Sequence, residues 1–178
     1  QNVSNQNYFR ETLSIPLLAP LLFYPPPLPA HAPDHAQQEH LTHKQAFLLQ
    51  EWDEQKLANA QLLLRCVRHL IDGQGEGHRS NQLVMCKTGL AEALVQLAMA
   101  SLAPLPLKAD ALHVLASLLR GSRAAQDLIS AMVITPVVLK EHSVPAAEGL
   151  QPPMELAWQS PHPAMLRLVE MALCVPIR

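Results

Sequence analysis

At 178 residues the chain is about one domain long, enough to bury a sizeable core. Hydrophobic residues make up 49% and aromatics only 4%, so the apolar fraction is mostly Leu, Ala and Val, which favours helices over a sheet core. Lys plus Arg number 13 against 15 for Asp plus Glu; the resulting net charge of −2 gives no footprint for nucleic acid or an anionic bilayer and leaves proteins as the expected partners.

The chain starts at Gln1 without a basic segment and apolar stretch of the kind a signal peptide needs, which is the expectation for a fragment of a cytosolic protein. Ser4-Asn5-Gln6 leads into apolar residues and Thr12, and the same order returns at Ser80-Asn81-Gln82 and Thr88. Between Leu13 and Tyr24 lies the most apolar run, broken by Pro16 and Pro20 and well short of the roughly 20 residues that cross a bilayer. A low-complexity tract rich in Pro and His follows. Consecutive prolines lack amide donors and fix φ, so residues 25–33 cannot be helical, and a mobile inserted loop is expected over 24–50.

The clearest helix spans residues 54–71, with Leu57, Ala60, Leu63, Leu64, Val67, Leu70 and Ile71 on one stripe, Asp53 as N-cap and Gly73 as the stop. A short helix over 81–87, Gly89, a helix from Leu90 to about Ser101 and a helix over 108–120 come next. The last is expected to bury Leu112, Leu115, Ala116 and Leu119, and Gly121 follows it. Residues 123–139 then align with the segment that starts at Ser80: Gln126 lies 44 positions after Gln82, and Pro136 is expected early in a second helix. A smaller insertion is expected over 143–160, and a last helix from about Pro163 to Cys174.

A helical period of about 40 to 45 residues is the mark of armadillo or HEAT solenoids. The expected fold is therefore all-α, an armadillo-type α-solenoid in a single domain over 1–178. It has about three repeats: 4–73 with inserted loop 24–50, 80–121, and 123–175 with inserted loop 143–160. In such stacks the third helix of each repeat lines the concave face. The residues opposite the core stripe there are Leu62, Arg65 and His69 on one helix and Asp110, Val114 and Ser117 on the other; Arg65, His69, Asp110 and Ser117 are the candidate partner-binding residues.

No catalytic, cofactor or metal site is expected. His31, Asp34, His35, Glu39, His40 and His43 have metal-ligand types, and His40 with His43 could share a helical turn. The tract lacks supporting partners for such ligands, so incidental His enrichment is the expectation. Gly73, Gly75 and Gly77 have the wrong spacing for a phosphate loop and follow a helix, so they read as a turn. No nucleophile, base and carboxylate are brought together by the helical reading. Cys66, Cys86 and Cys174 are expected as reduced core thiols.

Four stretches carry a resemblance: S-N-Q-N-Y-F-R-E (4–11), W-D-E-Q-K-L-A-N (52–59), C-K-T-G-L-A-E-A-L (86–94) and R-G-S-R-A-A-Q-D-L-I-S (120–130). In order and spacing they resemble the globular head of the general vesicular transport factors, the Uso-type tethers that act between endoplasmic reticulum and Golgi. The resemblance covers about residues 4–140 and, more loosely, the final helix. It implies an armadillo-type head, joined in full-length members to a long coiled coil that makes a homodimer. It also implies a cytoplasmic protein peripheral to Golgi and vesicle membranes, without membrane insertion, whose partners are a Rab-type GTPase, SNAREs and golgins. The matching residues, among them Asn5, Gln6, Phe9, Trp52, Asn59, Gly89, Gly121, Gln126 and Asp127, look like framework, and no partner site transfers onto any one of them. Other readings of the chain are a generic armadillo adaptor for cargo or signalling proteins and a His-rich metal-binding module.

Overall fold

The structure, a computed structural model, describes residues 3–12, 14–73, 75–134, 137–141, 154–158 and 162–173. It is mostly helical. Helices α1 (Val3–Glu11), α2 (Leu18–Leu21, entered by a 3-10 turn at Ile15–Leu17), α3 (Asp34–Leu48), α4 (Glu54–Ile71), α5 (Glu76–Lys87), α6 (Leu90–Met99), α7 (Leu105–Leu119), α8 (Arg123–Ala131) and α9 (Ala164–Leu173) follow in order. Two short antiparallel ladders lie between α8 and α9: β1 (Val133–Ile134) with β4 (His162–Pro163), and β2 (Val137–Glu141) with β3 (Met154–Trp158).

The helices stack in layers. One layer is α1 against α5 against α8, another sets α2 on α6, and a third sets α4 on α7. In the middle, α6 buries Leu90, Ala91, Ala93, Leu94, Val95, Leu97 and Ala98, a helix that is apolar on nearly every side because helices cover it on nearly every side. On α4 the expected stripe faces this core, with Ala60, Leu64, Val67 and Ile71 buried; Asp53 caps it by accepting the Lys56 N–H at 2.7 Å. Gly89 joins α5 to α6 in the left-handed region, φ 83°.

Several expectations are corrected here. The loop expected over 24–50 is extended only to Pro33; residues 34–48 are the helix α3, started by Asp34 after the last proline and pinned by Phe47 and Leu48 in the core. On α7 the buried face is Leu107, Ala111, Val114, Leu115 and Leu118, about one residue round from the expected stripe. Leu112 is 39% exposed, Ala116 is exposed, and Val114, expected opposite the core, is buried. Val114 wins because α7 is wedged between α6 and α4 and must present apolar groups to both. Residues 133–134 and 137–141, expected to turn and enter a helix, are strands, in keeping with the β-branched Val133, Ile134, Val137 and Val138; Pro136, expected early in that helix, lies outside the described residues. Within the insertion expected over 143–160, residues 154–158 are β3, and 143–153 and 159–160 lie outside the described residues. Cys66 is exposed rather than in the core, Cys86 is buried, and Cys174 lies outside the described residues.

Among the described residues no helix is long and apolar enough to cross a membrane.

Candidate functional site

The repeated Ser-Asn-Gln lies within helices, in the first turn of α1 and past the first turn of α5, and its glutamines bond outside their own helices. They cap the ends of others. A helix leaves its last carbonyls without intrahelical donors, and a buried end needs donors from elsewhere. Gln6 Nε2 donates to the His69 and Asp72 carbonyls at the end of α4, at 2.7 and 3.2 Å; Gln82 Nε2 donates to the Ser117 and Arg120 carbonyls at the end of α7, at 3.0 and 3.1 Å. Asn81, fully buried, donates to the Leu70 carbonyl at 2.9 Å and accepts from Arg10 Nη1 at 3.2 Å, and Arg10 also donates to the Gly77 carbonyl. Gln126 Nε2 donates to the Leu119 carbonyl at 3.0 Å. Thr12 and Thr88 end α1 and α5 in the same manner, each hydroxyl donating to a carbonyl one turn back. This motif is framework.

The sequence-derived binding candidates separate into two kinds. Arg65 and His69 stand exposed on α4. Asp110 is half-buried and accepts from Gln61 Nε2 at 3.1 Å, which ties α7 to α4, and Ser117 is half-buried with its carbonyl held by Gln82. The structure therefore does not assemble the four into one exposed cluster. Neither does it gather the histidines: His35, His40 and His43 lie along α3, and among the described residues no group of three or more His, Cys, Asp or Glu side chains is placed to hold a metal ion. Gly73 and Gly75 form the turn between α4 and α5, with φ of 137° and 122°.

The feature that sequence reasoning missed is where α2 ends. The Phe23 N–H donates to the Pro20 carbonyl at 2.8 Å and the Tyr24 N–H to the Ala19 carbonyl at 3.2 Å, the double bond pattern of a Schellman cap. Phe23 occupies its left-handed position, φ 66°, where glycine is usual and a β-carbon costs about 1 to 2 kcal/mol. The residue is nevertheless 58% exposed. Lys56 Nζ sits 4.7 Å from the Phe23 ring centroid and 5.4 Å from that of Trp52, a cation between two aromatic faces. Phe23 divides two clefts. One, of about 470 Å³, is lined by Pro25, Phe47, His43, Gln50 and Lys56; the other, of about 480 Å³, by Leu21, Leu62, Leu63 and Cys66. Below the first, Tyr24 and Phe47 meet edge to face at 5.0 Å. The signal in the sequence was an aromatic residue at the stop of a Pro-broken apolar run, but nothing in composition says that such a residue stays exposed.

Electrostatics around α3 follow from packing. Lys44 Nζ pairs with Glu92 Oε1 at 2.6 Å and fixes α3 to α6. Burial pushes the Tyr24 hydroxyl far above its usual range, and the Glu92 carboxylate adds to the effect. Burial lowers His40 from its ordinary value, helped by the charge of Lys44. Burial pushes the Cys86 thiol up to about 11 and lowers Lys108.

Neither a protein-family model nor a curated protein matches the sequence. Among solved structures the chain is similar in fold to the crystal structure of Uso1-2, at 19% identity and a TM-score of 0.66 over 99% of this chain. The chain spans 22% of the length of that one. The likeness is one of fold, and it extends over nearly all of the chain.

Proposed function

We propose that the chain is part of the head of a vesicle tether, a non-enzymatic armadillo-type scaffold of about three repeats that binds proteins during transport from endoplasmic reticulum to Golgi. The observation that carries this reading is the recurrence of one capping arrangement, Gln6 on α4 and Gln82 on α7, in a fold shared with Uso1-2. The layers support it: α1, α5 and α8 take the place of successive first helices, α2 and α6 of second helices, α4 and α7 of third helices. Within the 4–73 repeat, α3 is then the inserted element. The surfaces on offer are helix faces and shallow apolar clefts, which suit recognition of proteins better than chemistry on a small substrate.

On this reading the partners are a Rab-type GTPase, SNAREs and golgins, the protein is cytoplasmic and peripheral on Golgi and vesicle membranes, and the full-length molecule is a homodimer through a coiled coil. The test is a docking reaction of vesicles derived from endoplasmic reticulum with Golgi membranes depleted of their own tether. The full-length protein should be an elongated dimer by electron microscopy and should restore docking. A full-length chain without a long heptad region, or one that leaves docking unrestored, sinks the proposal and favours a generic adaptor.

A further inference from the structure

The two clefts on either side of Phe23 have no role in the framework, and the residue between them is held in a conformation that its side chain does not favour. Strain of this kind persists where the surrounding structure over-determines it, and it concentrates at binding sites. Here a Schellman cap fixes Phe23 at φ 66° and leaves the residue 58% exposed, so burial does not compensate for the strain. What the arrangement achieves is a projecting aromatic ridge with an apolar recess on each side.

We propose that this ridge and its two recesses dock an acidic, apolar peptide motif of a partner protein, an inference that rests on the protein-binding reading above. The charge of the lining selects the occupant. In the cleft beside Phe47 the polar lining residues are Tyr24, His43, Gln50 and Lys56, and none of the lining residues is acidic. Gln50 lines this cleft, and its Nε2 is buried without a hydrogen-bond partner. Lys56 is held over the Phe23 and Trp52 rings with its charge at the rim. The cleft across the ridge is almost wholly apolar, with Leu21 and Leu62 both exposed, and Arg65 stands one turn after Leu62 on α4. A motif with bulky apolar side chains for the recesses and carboxylates for Lys56 and Arg65 complements the apolar lining and the two cations beside it.

The test is selection of a displayed random dodecapeptide library on the full-length protein, with Phe23→Gly and Lys56→Glu variants as counter-screens. Glycine suits the left-handed position, so Phe23→Gly should match or exceed the wild-type urea midpoint while losing the site, which separates docking from folding. Peptides that depend on Phe23 should be rich in Asp and Glu beside Leu, Phe or Trp, and should bind Lys56→Glu at least tenfold more weakly. Three outcomes overturn the inference: no peptide depends on Phe23, the dependent peptides are basic, or decanoate gives a calorimetric binding signal at the clefts while no peptide is selected. Restored vesicle docking without peptide selection defeats only this inference. Selected peptides with docking unrestored defeat only the tether.

Discussion

Gln6 and Gln82 make the same pair of hydrogen bonds, each amide donating to the C-cap carbonyl of a long helix and to the carbonyl three residues before it. A hydrogen bond of this kind contributes about 1 kcal/mol, and leaving a buried carbonyl unpaired costs about 1 to 3. Gln82 is fully buried and Gln6 nearly so. Gln82→Ala should therefore lose about 2 to 4 kcal/mol in urea unfolding, and Gln6→Ala, nearer the edge of the stack, about 1 to 2. Gln82→Glu should be worse than Gln82→Ala at neutral pH, because a carboxylate offers no donor to two carbonyls and brings a buried charge. Equal stability of Glu and Ala at this position would contradict the capping account.

Much of this is legible in the sequence, and most of the misses share a cause. Every member of the stripe of α4, Leu57 to Ile71, is buried or half-buried, so its period alone finds its core. Helix α7 touches both α6 and α4, its apolar arc is wide, and which edge is deepest depends on neighbours that periodicity does not contain. Prolines marked the end of the extended tract at Pro33, but the helix that follows is polar, and its few anchors, Phe47 and Leu48, lie at its far end. The Gln repeat was visible as a repeat. Its purpose was not, because the carbonyls it caps are 35 and 63 residues away. The Phe23 ridge was hidden for a different reason: exposure of an aromatic ring is set by a backbone dihedral.

Gly89 and Gly121 both take left-handed conformations, φ 83° and 68°, yet substitution should affect them differently. A β-carbon on Gly89 would lie 3.1 Å from the Pro27 ring, whereas one on Gly121 meets nothing within 4 Å. Gly121→Ala should cost about 1 kcal/mol, the strain of the conformation alone. Gly89→Ala should cost about 2 to 3, since the Pro tract must also shift. Adding Pro27→Ala should recover part of the Gly89→Ala loss and none of the Gly121→Ala loss. A double-mutant cycle by urea unfolding reads this directly.

The cysteines should differ sharply in reactivity. Cys66 is exposed, while Cys86 is buried with its thiol pushed up to about 11. At pH 8 a group of that pKa is thiolate in about one molecule in a thousand, and the thiolate is the nucleophile. In a Cys174→Ser background, maleimide should label Cys66 within minutes, and Cys86 only as fast as the fold opens. Labelling of Cys86 should then accelerate in urea in step with unfolding. Fast labelling of Cys86 in native buffer would show that α5 does not pack as described.

His40 gives the fold a pH dependence with a definite sign. Its imidazole is half-buried on α3, and burial first and Lys44 second disfavour the charged form; His43 adds to this and Glu92 opposes it. The folded pKa lies below the unfolded value of about 6.5, so the unfolded chain takes up the proton first as pH falls. The contribution is fully present above pH 6.5 and is lost as pH drops through the folded pKa. The urea midpoint should thus be flat from pH 8 to 7 and decline as pH falls below about 6.5. His40→Gln should flatten that decline, because a neutral side chain has no proton to gain. Lys44→Met should flatten it only in part: it removes the like charge, but the burial that is the larger cause stays in place. A midpoint that rises as pH falls through this window would reverse the sign and remove burial as the dominant influence on His40.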